Sequence, residues 1–294
     1  MKRLLLWTIV GVALIGRTAI AQTPVLPASM VLYEVVPEAF APVLSRWASA
    51  VGISLAGADN PIKVRASYER WDTSGWSFLR YPRTGDLIIS REQLKYKGIA
   101  GRSFNLTDSE AVQIALTFLK GHLLLDVSVG RDELKTTGVR HVVDEFFDTL
   151  TGVSSERVNT AIAIFGRNID GFEAIGPGAH VAIYVGADRS VVGADVAWRS
   201  LRPIGTVRPE DPFAVLRASG ISMGGDSKIE IGYYFGDRTS QELVLPVAWV
   251  TTSERTFRTT TLVPLVSAPE LLRRSAFSRQ GSITLRQTAP IGPQ

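Results

Sequence analysis

The chain has no cysteine among its 294 residues. That removes disulfides, thiol chemistry, cysteine-held metals and a lipid anchor built on a cysteine. The fold must then rest on its apolar core, which a chain of this length can supply. Histidine is nearly as scarce: His122, His141 and His180 are the three present, and no H-E-x-x-H spacing occurs. Low-complexity segments are absent. Leu4 to Gly16 is an uncharged, mostly apolar run of 13 residues, short of the about 20 that a spanning helix needs. Excess charge of one sign is also missing. The net charge is +4, but Lys2, Arg3 and Arg17 lie in the leader. Their removal leaves +1. The adjacent basic pair that remains, Arg273-Arg274, is too small for a nucleic-acid footprint.

The N-terminus has the order of an export signal. Lys2 and Arg3 precede the apolar run, and Ala19-Ile20-Ala21 is a small-x-small cleavage site, so the mature chain is expected to begin at Gln22. The protein is therefore expected outside the cytoplasm, periplasmic or secreted. It would touch a membrane only if the signal were retained.

Beyond the leader, the pattern predicts an α+β chain: one amphipathic helix followed by three alternating strands, three times over. In the first unit, Phe40, Val43, Leu44, Trp47 and Val51 mark a helix stopped by Gly52. A strand with one wet face is expected from Ile62 to Glu69. A hairpin over Trp76–Tyr81 and Asp86–Arg91 turns at Pro82-Arg83-Thr84-Gly85. The second unit opens with a capping box, Thr107-Asp108-Ser109-Glu110, before Val112, Ala115, Leu116 and Leu119. A further helix is expected from His141 to Leu150, carrying Val142, Val143, Phe146 and Phe147; the stretch between, Leu123 to Arg140, reads as an insertion. Strands follow at Thr160–Ile164, Val181–Val185 and Val192–Trp198. In the third unit Asp211 caps, Pro212 opens the helix and Gly220 ends it. Strands are then expected at Ile229–Phe235, Leu243–Trp249 and Phe257–Val263. Pro246 cannot donate to a ladder, which points to an edge or a bulge there. The resulting boundaries are 1–21 signal, 22–104, 105–206 with the helical insertion, 207–267, and a mobile tail over 268–294.

One stretch carries a family resemblance. Phe165-Gly-Arg-Asn-Ile-Asp-Gly-Phe-Glu-Ala-Ile-Gly-Pro-Gly-Ala-His-Val-Ala-Ile-Tyr-Val185 runs on to Val192-Gly-Ala-Asp-Val-Ala-Trp198-Arg199. Tyr233-Tyr234-Phe235 and Leu243 to Val250 repeat the theme. This strand, glycine link, strand, turn, strand order resembles PepSY and thermolysin-propeptide modules. It is also similar to extracytoplasmic regulators of cell-wall sensor kinases. The resemblance covers Thr107 to Pro264 and implies small PepSY/cystatin-like layers. It also implies inhibition, chaperoning or regulation of a partner. No peptidase domain follows, unlike a true propeptide.

The chemical motifs are each outweighed by a plainer reading. Gly220-Ile221-Ser222-Met223-Gly224 fits the nucleophile-elbow pattern, but a helix precedes it and a strand follows, the reverse of the required order, and no histidine follows Ser222. His141, Asp144 and Glu145 could supply metal ligands, but a zinc site needs three or four in tight spacing, and there is no H-E-x-x-H and no cysteine; His141 reads as a solvent-facing residue at a helix start. The pairs Asp132-Glu133, Asp144-Glu145 and Glu210-Asp211 sit at expected helix starts or polar links, where acids suit the helix dipole. Gly176-Pro177-Gly178 lacks the following helix of a phosphate loop. Trp71, Trp76, Phe78 and Tyr81 read as core under one helix rather than a binding face.

The sequence therefore points away from an enzyme, with no catalytic residue, metal or cofactor assigned. It favours an exported regulator or inhibitor acting by protein contact, with another extracytoplasmic protein, a peptidase or a sensor, as partner and no nucleic acid. A small-molecule or envelope-component binding protein with a pocket between helix and sheet is the alternative. A serine hydrolase using Ser222 is third.

Overall fold

The computed structural model describes residues 25–54, 63–65, 67–73, 75–91, 94, 103–125, 133–148, 152–221, 227–236, 241–253, 257–277 and 282–288. The export leader, Ser222 and the last six residues lie outside these. The elements run β1 (Met30–Val35), α1 (Phe40–Ala50), β2 (Lys63–Val64), β3 (Glu69–Thr73), β4 (Trp76–Arg80), β5 (Leu87–Ser90), α2 (Asp108–Gly121), β6 (Glu133–Asp148), β7 (Val153–Ile169) and β8 (Phe172–Ile175). They continue with β9 (Ala179–Gly186), β10 (Val191–Trp198), β11 (Leu201–Val207), α3 (Pro212–Ala218), β12 (Lys228–Tyr234), β13 (Leu243–Val244), β14 (Pro246–Ser253), β15 (Phe257–Pro264), α4 (Pro269–Arg273) and β16 (Ile283–Thr288).

The α+β class is thus the one observed. Strands β2–β10, β12 and β14–β16, drawn from the stretches after α1, α2 and α3, form a single 13-stranded sheet. Strand β5 pairs with β10, and β8 with β12, so strands from all three stretches are hydrogen-bonded neighbours. Asn168 of β7 has Glu133 of β6 on one side and Glu173 of β8 on the other. Strands β8 and β9 therefore follow one another along one side of β7, and β6 runs along the opposite side. From β8 the sheet continues through β12, β14, β15 and β16; from β9 it continues through β10, β5, β4, β3 and β2. A second sheet of three strands, β11-β1-β13, is not hydrogen-bonded into it but packs against it, Tyr33 of β1 on Tyr233 of β12.

Alternation along the strands selects one face for the core. Ala163, Ile183, Ala194, Ile89, Phe78 and Trp71 stand in cross-strand register and are all buried. Onto this row pack Val43, Leu44 and Trp47 of α1 and Ala115 and Leu119 of α2. Each fully buried Val, Leu, Ile or Phe among them contributes about 1.5–3 kcal/mol. Trp71, Trp76 and Phe78 are therefore core, and Tyr81 is half-buried.

Four sequence expectations are corrected. The His141–Leu150 helix is instead the second half of β6, paired residue by residue with β7 as far as Asp148↔Val153. Its apolar doublets, Val142-Val143 and Phe146-Phe147, have helical spacing, but β-branched and aromatic side chains favour the pleated ribbon once β7 is alongside. The Ile62–Glu69 strand is not continuous: Arg65 N–H donates to the Tyr68 carbonyl, and β2 folds back on β3. Val64, expected to point inward, is exposed. Pro246 is not at an edge, since β14 lies between β12 and β15. The proline is tolerated as the first residue of the strand. The tail was expected to be mobile, yet Ile283–Thr288 pairs with β15.

The cap of α2 forms as the sequence implies. Glu110 N–H donates to Thr107 Oγ1 at 3.2 Å, and Thr107 N–H donates to Glu110 Oε2 at 2.9 Å. Arg189, in the β9–β10 turn, donates to Glu110 Oε1 at 2.6 Å. The hydrogen bond from the Thr107 backbone, then that from Arg189, holds the Glu110 carboxyl down to about 2 from its ordinary 4.5. A depressed carboxyl stabilises the fold fully above its unfolded value and loses that contribution as pH falls through its folded value. Wild type is therefore expected to melt above Glu110→Gln at neutral pH, with the gap closing between about pH 4.5 and about pH 2. Thermal melts across that range check this; a gap that stays constant would remove Glu110 ionisation as the cause.

A buried polar junction joins the strand ends. Arg199, following β10, donates from Nε to Asp86 Oδ1 at 3.1 Å and from Nη2 to Oδ2 at 3.3 Å. Its Nη1 reaches Gln241 Oε1 at 2.8 Å, and Nη2 also reaches the Gly236 carbonyl. Both charged side chains are 0 % exposed. Gly178 makes room for the guanidinium, because a Cβ there would lie 2.6 Å from Arg199 Cζ. Arg167 donates to the Arg199 carbonyl at 2.7 Å and stacks over Trp198 at 4.6 Å.

Candidate protein-interaction edge

The residues that suggested chemistry are dispersed. His122 caps the C-terminus of α2 beside Phe118. His141 lies on β6, 3.3 Å from Asp108 and edge-on to Phe104. His180 lies on β9 opposite Ala197. Asp144 accepts a hydrogen bond from Asn159 Nδ2 at 2.5 Å, within its own ribbon. Asp211 caps α3 by accepting from Phe213 N–H, and Glu210 is exposed. Gly176-Pro177-Gly178 forms the link from β8 to β9. Ser222, Asp132 and the side chains of Glu133 and Glu145 lie outside the described residues. Among the described residues no three His, Asp or Glu side chains gather in a way that could hold a metal.

The cleft between α1 and the sheet, walled by Val43, Trp47, Leu87, Val196 and Trp198, has room for about 40 Å³. A ligand pocket needs about 300–1,000 Å³, so this cleft holds roughly one water. A wider depression of about 490 Å³ lies where Leu26–Ala28 meets Arg208–Asp211. Among the described residues those two segments line it.

The sheet's open edges differ greatly. Strand β2 has 2 residues, β16 has 6 and β6 has 16. Among the described residues β6 pairs with β7 alone. From Lys135 to Asp144 its residues are exposed or half-buried, none fully buried. Strand β9 stops pairing with β7 at Gly186↔Thr160. Beyond that, the pairs Val143↔Val158 to Asp148↔Val153 form a ribbon that among the described residues has two strands, about 20 Å long at the usual strand rise. A backbone edge of this length carries a row of N–H and C=O groups able to accept another strand. Sequence reasoning missed it by reading its second half as a helix. The β-branched run Val139, Val142, Val143, with Thr136 and Thr137, was the available signal.

Two other groups are electrostatically placed but structural. Tyr233 is buried, which raises its phenol well above the ordinary value, with the Asp170 carboxylate adding to the effect. Glu34 is held below its ordinary value, first by the hydrogen bond from Arg202. Neither opens into a cavity.

No family model and no curated protein matches the chain. Among solved structures, the C-terminal domain of Bacillus megaterium YpeB is similar at 12% identity and a TM-score of 0.37, over 79% of this chain and 94% of that one. So loose a likeness transfers no function. No helix among the described residues is long and apolar enough to cross a membrane.

Proposed function

We propose that this chain is an exported, non-enzymatic regulatory or inhibitory protein that acts by protein contact, and that β6 is the edge where an extended segment of its partner docks. In this reading the signal is cleaved near Ala21 and the partner is another extracytoplasmic protein, a peptidase or a sensor. The three helix-plus-sheet stretches, 22–104, 105–206 and 207–267, are PepSY-like units fused through one sheet. No cofactor and no nucleic acid take part. The observation that carries the proposal is the 16-residue strand that, among the described residues, pairs on one side only. Strand addition to such an edge takes its affinity from main-chain hydrogen bonds. The small volume of the cleft between α1 and the sheet supports this reading over the small-molecule alternative, which would seat its ligand between helix and sheet.

Affinity capture by chain 22–294 from envelope and culture fractions tests it, with Val139→Pro and Arg140→Pro as blocked edges. Adjacent strand residues aim their N–H groups to opposite sides, so one of the two prolines leaves the β7 ladder intact. That variant, identified by an unchanged melt, is expected to weaken saturable capture about tenfold or more, the worth of one or two lost main-chain bonds. Undiminished capture by the folded variant would show that docking lies elsewhere.

A further inference from the structure

We propose that the β6 edge is closed by a second copy of this chain, pairing antiparallel about a two-fold axis through Val142, and that the monomer is the form free to dock a partner. The inference rests on the reading of β6 as the docking edge and adds how that edge is regulated.

A free strand of this length templates unwanted pairing, and stable proteins cover or blunt such edges. Strand β6 carries a charge order that says what can cover it. Lys135 and Arg140 stand in its first half; Asp144, Glu145 and Asp148 stand in its second. A strand added antiparallel must present an acid opposite Arg140 and a base opposite Asp144. It therefore needs a base and an acid four positions apart, in that order. Strand β6 has that spacing itself.

The register follows from the faces. A two-fold axis normal to the sheet keeps each face on its own side, so even-numbered positions must meet even-numbered ones. Between Gly138 and Asp148 no residue of β6 is bulged out: the irregularity at Val142/Val143 leaves the extra residue, Asn159, on β7. Alternation therefore holds across the centre. An axis at His141 sets Arg140 against Val142, and an axis at Val143 sets it against Phe146. An axis at Val142 sets Arg140 against Asp144 of the mate, and symmetry repeats the pair. Arg140 is exposed, and Asn159 fixes the Asp144 carboxylate through its hydrogen bond. Opposite charges directly across a ladder stabilise it and like charges oppose it. Self-pairing occupies the same N–H and C=O groups that a partner strand would use. Dimer and partner therefore compete.

Sedimentation equilibrium of chain 22–294 tests this, with Arg140→Asp, Asp144→Arg and the double exchange. Wild type is expected to dimerise, each single reversal to weaken the dimer about tenfold or more, and the double exchange to restore it, because each new acid then faces a new base. Arg140→Asp is the safer single variant, since Asp144 also serves Asn159. A wild type that stays monomeric through the micromolar range, or a dimer indifferent to both reversals, overturns the self-pairing. If wild type is monomeric while the folded proline variant loses capture, the dimer fails and the docking edge stands. If the dimer forms and the proline variant captures normally, the competition fails.

Discussion

Arg199→Met should lower the free energy of unfolding by about 3–5 kcal/mol, the usual cost of removing one partner from a buried ion pair. The loss comes less from the missing attraction than from what remains. Asp86 stays 0 % exposed with two guanidinium contacts gone. The Gln241 oxygen and the Gly236 carbonyl lose donors in the same space. Asp86→Ala should cost a similar amount by stranding the guanidinium. The double variant Asp86→Ala/Arg199→Met should recover much of it, since an apolar replacement of a whole buried pair is often nearly neutral. Urea denaturation of the four proteins gives the coupling directly. Additive losses would mean that the two side chains do not act as a pair.

Gly232→Ala is expected to cost about 3 kcal/mol or more, a large effect for one methyl group. Gly232 lies on β12 where β12 meets β8 in parallel, through Gly232↔Glu173, Tyr233↔Ala174 and Tyr234↔Ile175. A Cβ there would collide with the Glu173 carbonyl oxygen and touch the Trp249 ring at 3.0 Å. Backbone cannot yield as a flexible side chain can. Overpacking alone costs typically about 1–3 kcal/mol, and here the collision falls on the main-chain pairing itself. That short parallel join connects the C-terminal strands to the rest of the large sheet. Amide exchange in the variant should therefore lose protection in β12, β14 and β15 before β7, β9 and β10. Uniform loss of protection would mean that the join is not where the two parts come apart.

The alternating segments were legible in the sequence because a strand with one buried face writes its period directly. Ile229, Ile231 and Tyr233 fall where the pattern placed a strand, and the Thr107 box and the Asp211 cap fall where their spacing placed helix starts, whereas the single strand expected over Leu243–Trp249 is divided at Leu245 between β13 of the small sheet and β14 of the large one. Strands whose partners lie far away in sequence were not legible. Nothing in Met30–Val35 announces that it pairs with Leu201–Val207. Pro246 misled because a proline signals an edge only when its missing N–H falls inside the ladder, and here it opens the strand. The candidate edge was hidden for a different reason. Val142, Val143, Phe146 and Phe147 satisfy a helical stripe and a ribbon alike, and only the presence of β7 decides between them. Arg199 and Asp86 are two ordinary surface-type residues in the sequence, and their burial depends on which strand ends the fold brings together.

The pairing of β1 also bears on when the molecule is finished. Met30 pairs with Val207 and Glu34 with Leu243, about 180 and about 210 residues further along the chain. Contacts so distant are reached only after the entropy of a long loop has been given up. A strand is thus ordered by segments made much later than itself. A chain cut before Leu201 leaves β1 with no strand to join, and Tyr33 and Met30 lose the cover they share with Tyr233. Docking of β1 is a sign that the chain has been made at least as far as Val244 and has folded.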